Sequence, residues 1–355
     1  MKIGVIILYN PSMQKRKKII ALIVTLLFLA ALVAGWLGWS MFLKPNVPEE
    51  LSSEYVLIPT GSSLEDVVTI LKAGNFIIDE ASFLRTAERM KYRGRPGRFK
   101  ITPGWSNYYL VRHLRGGKQS PVKVVLVNER LPEDVAGKVS KVIEADSLSI
   151  LTLLKDRIFL DSLGYTPETA MCLFIPNTYE LFWNTDARKF IARMKRENEA
   201  FWNKDNRKEK AAELGLTETE VYTLASIVER ETNAKSEMPR IAGLYLNRLR
   251  IGMPLQADPT LVFASRDWES RSLAKYKTLD SPYNTYMYPG LPPGPISMAS
   301  ITAIDAVLNA EDHDYLFMCA VGDESGLHAF AETYNGHLAN IRRYKRNLIQ
   351  RGLGL

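Results

Sequence analysis

An uncharged segment of 25 residues near the N-terminus constrains this chain more than any other feature. Ile19 to Leu43 reads IIALIVTLLFLAALVAGWLGWSMFL and is long enough to cross a hydrocarbon layer of about 30 Å as a helix. The basic cluster Lys15–Lys18 precedes it, and the far side soon becomes acidic. The positive-inside bias therefore predicts a cytoplasmic tail at 1–18, a transmembrane helix at 19–43, and everything beyond on the extracytoplasmic side of the plasma (inner) membrane.

A cleaved signal peptide is the alternative interpretation of this segment. The apolar run is longer than a typical signal core, and it ends in the bulky Trp36, Trp39 and Phe42 rather than in small residues. An uncleaved single-pass anchor is therefore favoured. Either Met1 or Met13 could be the start of translation, and both would leave the basic cluster in place.

The composition of the whole chain predicts a folded protein with a basic surface. Of the 355 residues, 46% are hydrophobic and 24% charged, which is enough to build two or three domains with hydrophobic cores. The net charge of +7 suits an acidic polymer such as nucleic acid, anionic lipid or cell-wall glycan, or an indifferent basic surface. Cys172 and Cys319 lie in apolar runs, which predicts two buried free thiols rather than a disulfide.

A strand-turn-helix pattern recurs after a linker at 44–54. Residues 55–75 and 98–118 both read as a strand, a Pro/Gly turn, an amphipathic helix and a glycine stop, and 122–139 is a looser third copy. Mainly helical sequence follows from Ser147 to Arg207, interrupted by an aromatic-rich loop around Pro176. The predicted class is α+β, with a small β/α region at 55–121 that either binds a ligand or serves as a scaffold, and a mixed α+β domain at 122–355.

The most informative helix carries two glutamates, Glu229 and Glu231. Thr217 and Glu220 form a capping box, so the helix is predicted to begin near Glu218. At 100° per residue, Glu231 projects within about 20° of the apolar Leu224, whereas Glu229 is rotated from Glu231 by about 200°. Glu231 is therefore expected on the core side and Glu229 in water.

A carboxyl on an apolar stripe is a candidate general acid. Loss of hydration and the negative end of the helix dipole both raise its pKa, so Glu231 would hold a proton near neutral pH. The structural alternative is a buried salt bridge from Glu231 to Arg240 or Arg248.

Other catalytic patterns are absent from the sequence. The four histidines lack metal-ligand spacing, and no nucleophile elbow, Walker loop or dinucleotide fingerprint occurs. The charged helical segments lack the interleaved aromatic residues that RNA-binding motifs contain, so no nucleic-acid partner is predicted. No metal and no cofactor are expected.

Two polar stretches after Glu231 favour a sugar polymer as ligand. Aromatic faces stack on pyranose rings while amides and carboxylates bind hydroxyls, and a rigid Pro/Gly packing loop is the alternative. The candidate substrate-binding residues are Asn247, Gln256, Asp258, Tyr283, Asn284 and Tyr286.

These residues carry a resemblance to the endolytic murein transglycosylases, the YceG-like family of membrane-anchored enzymes that cut nascent peptidoglycan. The matching segments are LASIVERET, NRLRIGMPLQADPT, YNTYMYPGLPPGPIS and HAFAETYNGHLANIRRY, in the family's order. The catalytic glutamate of such enzymes falls on Glu231. The segment FAETYNGH lacks a polar residue expected directly after Phe330, which leaves the role of the C-terminal segment open.

The resemblance implies a lyase. Glu231 would protonate the bond between MurNAc and GlcNAc and then accept the C6 hydroxyl proton, which closes a 1,6-anhydro ring and terminates strand elongation. It also implies a LysM-like region at 55–121, the membrane and peptidoglycan strands as partners, and peptidoglycan synthases as further candidates. A hydrolytic glycosidase using Asp258 to activate water and a non-catalytic wall-binding scaffold remain alternatives.

Overall fold

The computed structural model of the protein describes residues 11–270 and 272–353, which form two compact units. The first comprises the described residues up to Pro121 together with Phe182–Asn184, and the second comprises Val122–Leu181 and the chain from Thr185 onward. Both units combine helices with short antiparallel strands, so the chain is a mixed helix and strand protein.

The N-terminal helix α1 (Pro11–Gly38) continues as a π-helical turn, Trp39–Leu43. The segment Lys15–Leu43 has a mean hydropathy of 2.7 and buries none of its apolar window against the rest of the protein. Within the described residues it is the one helix long and apolar enough to cross a membrane, properties that anchors and signal sequences share. The predicted tail at 1–10 lies outside the described residues.

The rest of the first unit is a two-stranded sheet with three helices. Strand β1 pairs antiparallel with β2, and Val56 opposite Phe99 lies in a small apolar core. The prediction of strand followed by helix at 55–75 and 98–118 is confirmed, while the sequence analysis missed the helix between them. The elements are β1 (Tyr55–Ile58), α2 (Leu64–Ala73), α3 (Glu80–Arg89), β2 (Gly97–Lys100) and α4 (Asn107–Gly116).

The second unit is mainly helical, with two small antiparallel sheets, β3 with β4 and β5 with β6. Short 3₁₀ turns lie at Ala170–Leu173 and Ala274–Tyr276. The elements are β3 (Val122–Leu126), α5 (Pro132–Val139), α6 (Ser147–Lys155), α7 (Arg157–Asp161), β4 (Asn177–Leu181), α8 (Ala187–Trp202), α9 (Arg207–Glu213), α10 (Glu218–Glu231), α11 (Met238–Arg250), α12 (Asp258–Ser265), α13 (Ile301–Leu308), β5 (Phe317–Ala320), β6 (His328–Ala331) and α14 (Tyr334–Gln350).

The sequence predicted a loop around Pro176, but a strand begins directly after this proline. Residues 177–181 form β4, whose Tyr179 lies opposite Val124 of β3. Both side chains are buried in the main core, and alternate residues of β4 face outward. The strand was missed because its pairing partner lies some fifty residues earlier, and a five-residue strand carries little periodicity of its own.

Helix α10 is the central element of the second unit. Every residue from Val221 to Val228 is buried, because α9, α11, α12 and α13 pack around it. Its start at Glu218 and its capping box are confirmed: Thr217 Oγ1 accepts from the backbone N–H of Glu220, and Glu220 accepts from the backbone N–H of Thr217. Such a cap satisfies two backbone donors that the helix leaves open.

We expect Thr217→Ala to lower the free energy of unfolding of the second unit by about 0.5–2 kcal/mol, because one helix N–H loses its acceptor. Thr217→Ser keeps the hydroxyl and should retain most of the stability. Thermal melts of the full chain in detergent, followed by circular dichroism, compare the two variants. Equal melts for both would show that the cap contributes nothing measurable.

Candidate active site

Glu231 is the last residue of α10 and lies where two cavities meet. Thr232 then turns to extended backbone, so the helix ends at the wall of the cavities. The Tyr245 hydroxyl, on α11, donates a hydrogen bond of 2.8 Å to Glu231 Oε1. This bond fixes one carboxyl oxygen and leaves Oε2 without a protein partner among the described contacts, as a proton-carrying group facing a substrate requires.

Glu231 and Asp258 line both cavities. The first cavity, of about 310 Å³, has a polar wall that includes Arg248, Gln256 and Tyr286. The second, of about 300 Å³, is more apolar, with Trp268 and two arginines. A polymer crossing from one cavity to the other would pass Glu231 with a sugar on each side, the arrangement that cleavage within a chain needs.

The environment raises the pKa of Glu231 from an ordinary 4.5 to about 7. Loss of hydration is the largest cause, and the hydrogen bond from Tyr245 opposes it by favouring the carboxylate. The nearby charge of Asp258 raises the pKa further, while that of Arg248 lowers it. A carboxyl with a pKa near 7 is suited to give and take a proton at neutral pH.

The salt-bridge alternative for Glu231 is not what the structure contains. Arg240 pairs with Glu311 at 3.0 Å. Arg248 donates to the backbone carbonyls of Leu316 at 2.7 Å and Leu255 at 2.5 Å, and forms no ion pair with Glu231 within 4.0 Å. Because its Nε and one terminal nitrogen donate to backbone carbonyls, Arg248 supports the walls of the cavity and does not pair with the carboxyl.

Helix periodicity predicted that Glu229 lies in water, but the structure places it against another helix. Its side chain is half-buried and accepts a hydrogen bond from Ser300 Oγ, the residue that caps α13. The prediction was wrong because it assumed one apolar and one solvated helix face, whereas α13 packs on the side opposite Glu231. Glu229 nevertheless lies outside the linings of both cavities.

Three of the six predicted substrate-binding residues line the first cavity. Tyr286 donates from its hydroxyl to Asp258 Oδ1 at 2.6 Å, which links the loop at 283–288 to the start of α12. Gln256 stands beside them with a left-handed φ of 52°, and its backbone N–H is held by the carbonyl of Thr285. Its side-chain amide is exposed in the cavity.

The other three, Asn247, Tyr283 and Asn284, do not line either cavity. Asn247 Nδ2 donates to the carbonyl of His313 at 2.6 Å. Asn284 is fully buried, and its Nδ2 donates to the carbonyls of Tyr276, Lys277 and Leu279. These amides support loops, and the Tyr283 ring packs at 4.7 Å from that of Phe263. All three side chains lie outside the two cavities, and their contact with substrate stays a prediction.

The C-terminal segment, whose role could not be predicted from the sequence, forms one wall of the first cavity. His328 on β6 and Tyr334 and His337 on α14 all line it, as do Phe317 and Cys319 of β5. His337 stacks on Phe317 with ring centroids 5.3 Å apart. Cys319 is therefore only half-buried, unlike Cys172, although both thiols are free as predicted.

Within the described residues, no group of three or more His, Cys, Asp or Glu side chains is placed to hold a metal ion.

Tyr245 is a site residue that was not predicted from the sequence, although it lies fourteen residues after Glu231 in a helical segment. Only the turn between α10 and α11 brings it back to the carboxyl, and helix periodicity carries no information about such turns.

The sequence profile of the YceG-like family matches residues 56–343 of the chain. This protein belongs to the YceG-like family. The profile covers both units and includes Glu231 and the C-terminal wall of the cavity.

Named relatives agree with that membership. The chain is 27% identical over 322 residues to the endolytic murein transglycosylase of Bacillus subtilis (strain 168), which covers 85% of this chain and 88% of the relative. It is 27% identical over 355 residues to that of Streptococcus pneumoniae serotype 2 (strain D39 / NCTC 7466), covering 90% of this chain and 64% of the longer relative. A crystal structure of a YceG-like protein from Listeria monocytogenes matches with a TM-score of 0.53 and 26% identity, over 80% of this chain and 97% of that one.

The raised pKa of Glu231 gives this YceG-like protein a pH-dependent stability with a defined sign. The folded state holds the proton more tightly than the unfolded state, so ionisation destabilises the fold as the pH rises from 4.5 through 7. We expect Glu231→Gln to stabilise the chain at about pH 8.5, by at most about 3 kcal/mol, and to change little at about pH 5. Denaturant melts at the two pH values measure this difference, and an equal effect at both would contradict it.

Two amides in the YceG-like site should respond differently to truncation. Asn284→Ala removes the donor to three backbone carbonyls, so we expect a loss of about 1–3 kcal/mol in unfolding free energy. Gln256→Ala removes an exposed amide and should change stability by no more than about 0.5 kcal/mol. Denaturant melts of both variants test this. An Asn284→Ala variant with an unchanged melt would show that these three hydrogen bonds contribute no measurable stability.

Proposed function

We propose that this protein is a lytic transglycosylase that cuts glycan strands of peptidoglycan at the bond between MurNAc and GlcNAc. The single observation that carries the proposal is a carboxyl with a pKa near 7, held by Tyr245 at the junction of two cavities. The printed activity of the curated relatives, endolytic murein transglycosylase, supports the substrate class.

The proposed reaction uses Glu231 twice. In its protonated form it donates to the glycosidic oxygen, which leaves with the GlcNAc side of the strand as the bond to MurNAc C1 breaks. The resulting carboxylate then accepts the proton of the MurNAc C6 hydroxyl while that oxygen bonds to C1. Glu231 regains its proton, and the product carries a 1,6-anhydroMurNAc end.

A pKa near 7 suits both steps, because the group must be acidic enough to donate and basic enough to accept. Tyr245 holds Oε1 throughout, so the proton is carried by Oε2. As Glu231 ionises, the same hydrogen bond strengthens and stabilises the carboxylate. The Asp258 carboxylate at the cavity edge favours positive charge that develops on the sugar ring.

A hydrolytic glycosidase is the second candidate, because Asp258 lines the same two cavities as Glu231. An inverting enzyme places its second carboxylate to activate a water molecule. Asp258 is instead engaged by the Tyr286 hydroxyl at 2.6 Å, which favours a positioning role. The two candidates differ in the product, since hydrolysis leaves a reducing end and the lyase reaction an anhydro end.

The rest of the chain supports action at a membrane surface. We propose that Lys15–Leu43 anchors the protein in the plasma membrane with both units on the extracytoplasmic side, where nascent strands are made. The first unit would act as a LysM-like glycan-binding region. Its cavity of about 500 Å³, lined by Trp105 and Tyr109, offers aromatic faces to sugar rings. Cutting nascent strands would terminate their elongation and bring the protein near peptidoglycan synthases.

The test of this function compares two glutamates of the same helix. Glu231→Gln keeps shape but removes the titrating proton, so cleavage of uncrosslinked strands should fall by about 10²- to 10⁴-fold. Glu229→Gln can still accept from Ser300 and should retain activity, which makes it the matched control. Mass spectrometry of the released fragments identifies anhydro ends.

Reducing ends in place of anhydro ends would favour the hydrolase. Full activity of Glu231→Gln would instead leave the wall-binding scaffold as the better account. If Glu229→Gln were inactive and Glu231→Gln active, the reaction would depend on Glu229, and its assignment to Glu231 would be wrong.

A further inference from the structure

Two arginines, Arg130 and Arg230, line the apolar cavity next to Glu231 and also a third, larger cavity. Arg130 follows β3, and Arg230 directly precedes Glu231 on α10. The third cavity has a volume of about 590 Å³ and opens along α5, where Lys141 adds a further cation. The two arginines thus form the boundary between the reaction site and a neighbouring open groove.

Neither arginine takes part in an ion pair within 4.0 Å among the described residues. Arg230 Nε donates to Ser297 Oγ at 3.1 Å, and the Arg130 guanidinium lies 4.5 Å from the centre of the Trp268 ring. Burial lowers the pKa of Arg230 and the charge of Arg130 lowers it further, while the charge of the adjacent Glu229 raises it. Two like charges therefore lie close together, and an anion between them would relieve their repulsion.

The carboxylates around the groove are already engaged. Glu129 pairs with Lys138, Glu133 pairs with Lys155 at 2.7 Å, and Asp134 accepts from the backbone N–H of Leu131 at 3.0 Å.

The carboxyls on the other side are also held. Glu231 accepts from Tyr245, Asp258 from Tyr286, and Glu229 from Ser300. Asp258 and Glu231 do share the apolar cavity with the arginines, yet neither lies within ion-pair distance of them. Neither guanidinium group is therefore occupied by a carboxylate of the described residues, and both can bind an anion from outside.

We propose that Arg130 and Arg230 bind a carboxylate of the peptide that branches from the MurNAc lactoyl group, so that the enzyme selects strands still carrying their peptides. The inference rests on the proposed function, because it takes the strand to lie across Glu231. A substituent on the sugar in the apolar cavity would then reach the larger groove past the two guanidinium groups. A planar guanidinium matches a carboxylate with two parallel hydrogen bonds, and Trp268 holds Arg130 in place.

The test measures binding without turnover, using the full chain in detergent with Glu231→Gln. Strands that carry peptides are compared with strands stripped by an amidase. Strands released from sacculi carry no diphosphate group that could act as a competing anion. Tighter binding of peptide-bearing strands therefore comes from the carboxylates of the peptide. We expect peptide-bearing strands to bind about tenfold or more tightly than stripped strands, in line with one or more charge-assisted hydrogen bonds.

Arg130→Gln combined with Arg230→Gln should bring that ratio close to one, mainly by weakening the binding of peptide-bearing strands. Arg196→Gln combined with Arg346→Gln is the matched control: it removes the same charge from two exposed arginines that line none of the three cavities. The control should keep the full ratio. Melting curves of both double variants establish that they fold.

A ratio near one in the parent chain would overturn the proposal, and so would a ratio that survives in the Arg130/Arg230 variant. Should that variant fail to fold, Arg130→Lys with Arg230→Lys retains both charges but loses the planar fork, and a reduced ratio is expected there too. The parent-chain comparison needs no variant at the arginines and decides the proposal by itself. Failure of the proposed function is separate, since it would appear as an absence of anhydro products from the unmodified chain.

Discussion

The burial of the middle of α10 is the constraint on which the second unit depends. With Val221 to Val228 enclosed on all sides, the carboxyl groups of the helix lie only near its two ends. The first end is closed by the Thr217 and Glu220 cap, and the second ends at a cavity wall with Glu231. The same packing that stabilises the core therefore strips water from the carboxyl, and a stability feature and a reactivity feature have one physical origin.

The hydrogen bond from Tyr245 limits how far that effect goes. Without it, desolvation and the charge of Asp258 would be opposed only by the charge of Arg248, and the pKa of Glu231 would be higher still. With it, the group lies near neutrality and one of its two oxygens has a fixed orientation. The pair thus sets both the proton affinity and the direction in which the proton is presented.

Local sequence patterns predicted what local interactions determine. The cap at Thr217, the apolar helix near the N-terminus, the strand-turn-helix units and the placement of Glu231 on the buried side all follow from spacing within one element. What failed depends on distant partners: β4 needs β3, the surroundings of Glu229 need α13, and the amide of Asn284 needs the loop carbonyls it supports. No single-element periodicity encodes those contacts.

The first cavity is assembled from segments far apart in the chain. Glu231 and Tyr245 come from the middle, whereas Phe317, His328 and His337 come from the last hairpin and the final long helix. The helices that pack around α10, namely α9, α11, α12 and α13, all precede the residues of that wall in the chain. The first cavity is therefore complete only when the C-terminal helix α14 has docked. A chain cut short before β5 could therefore keep α10 buried and still present Glu231 with one side of its cavity missing.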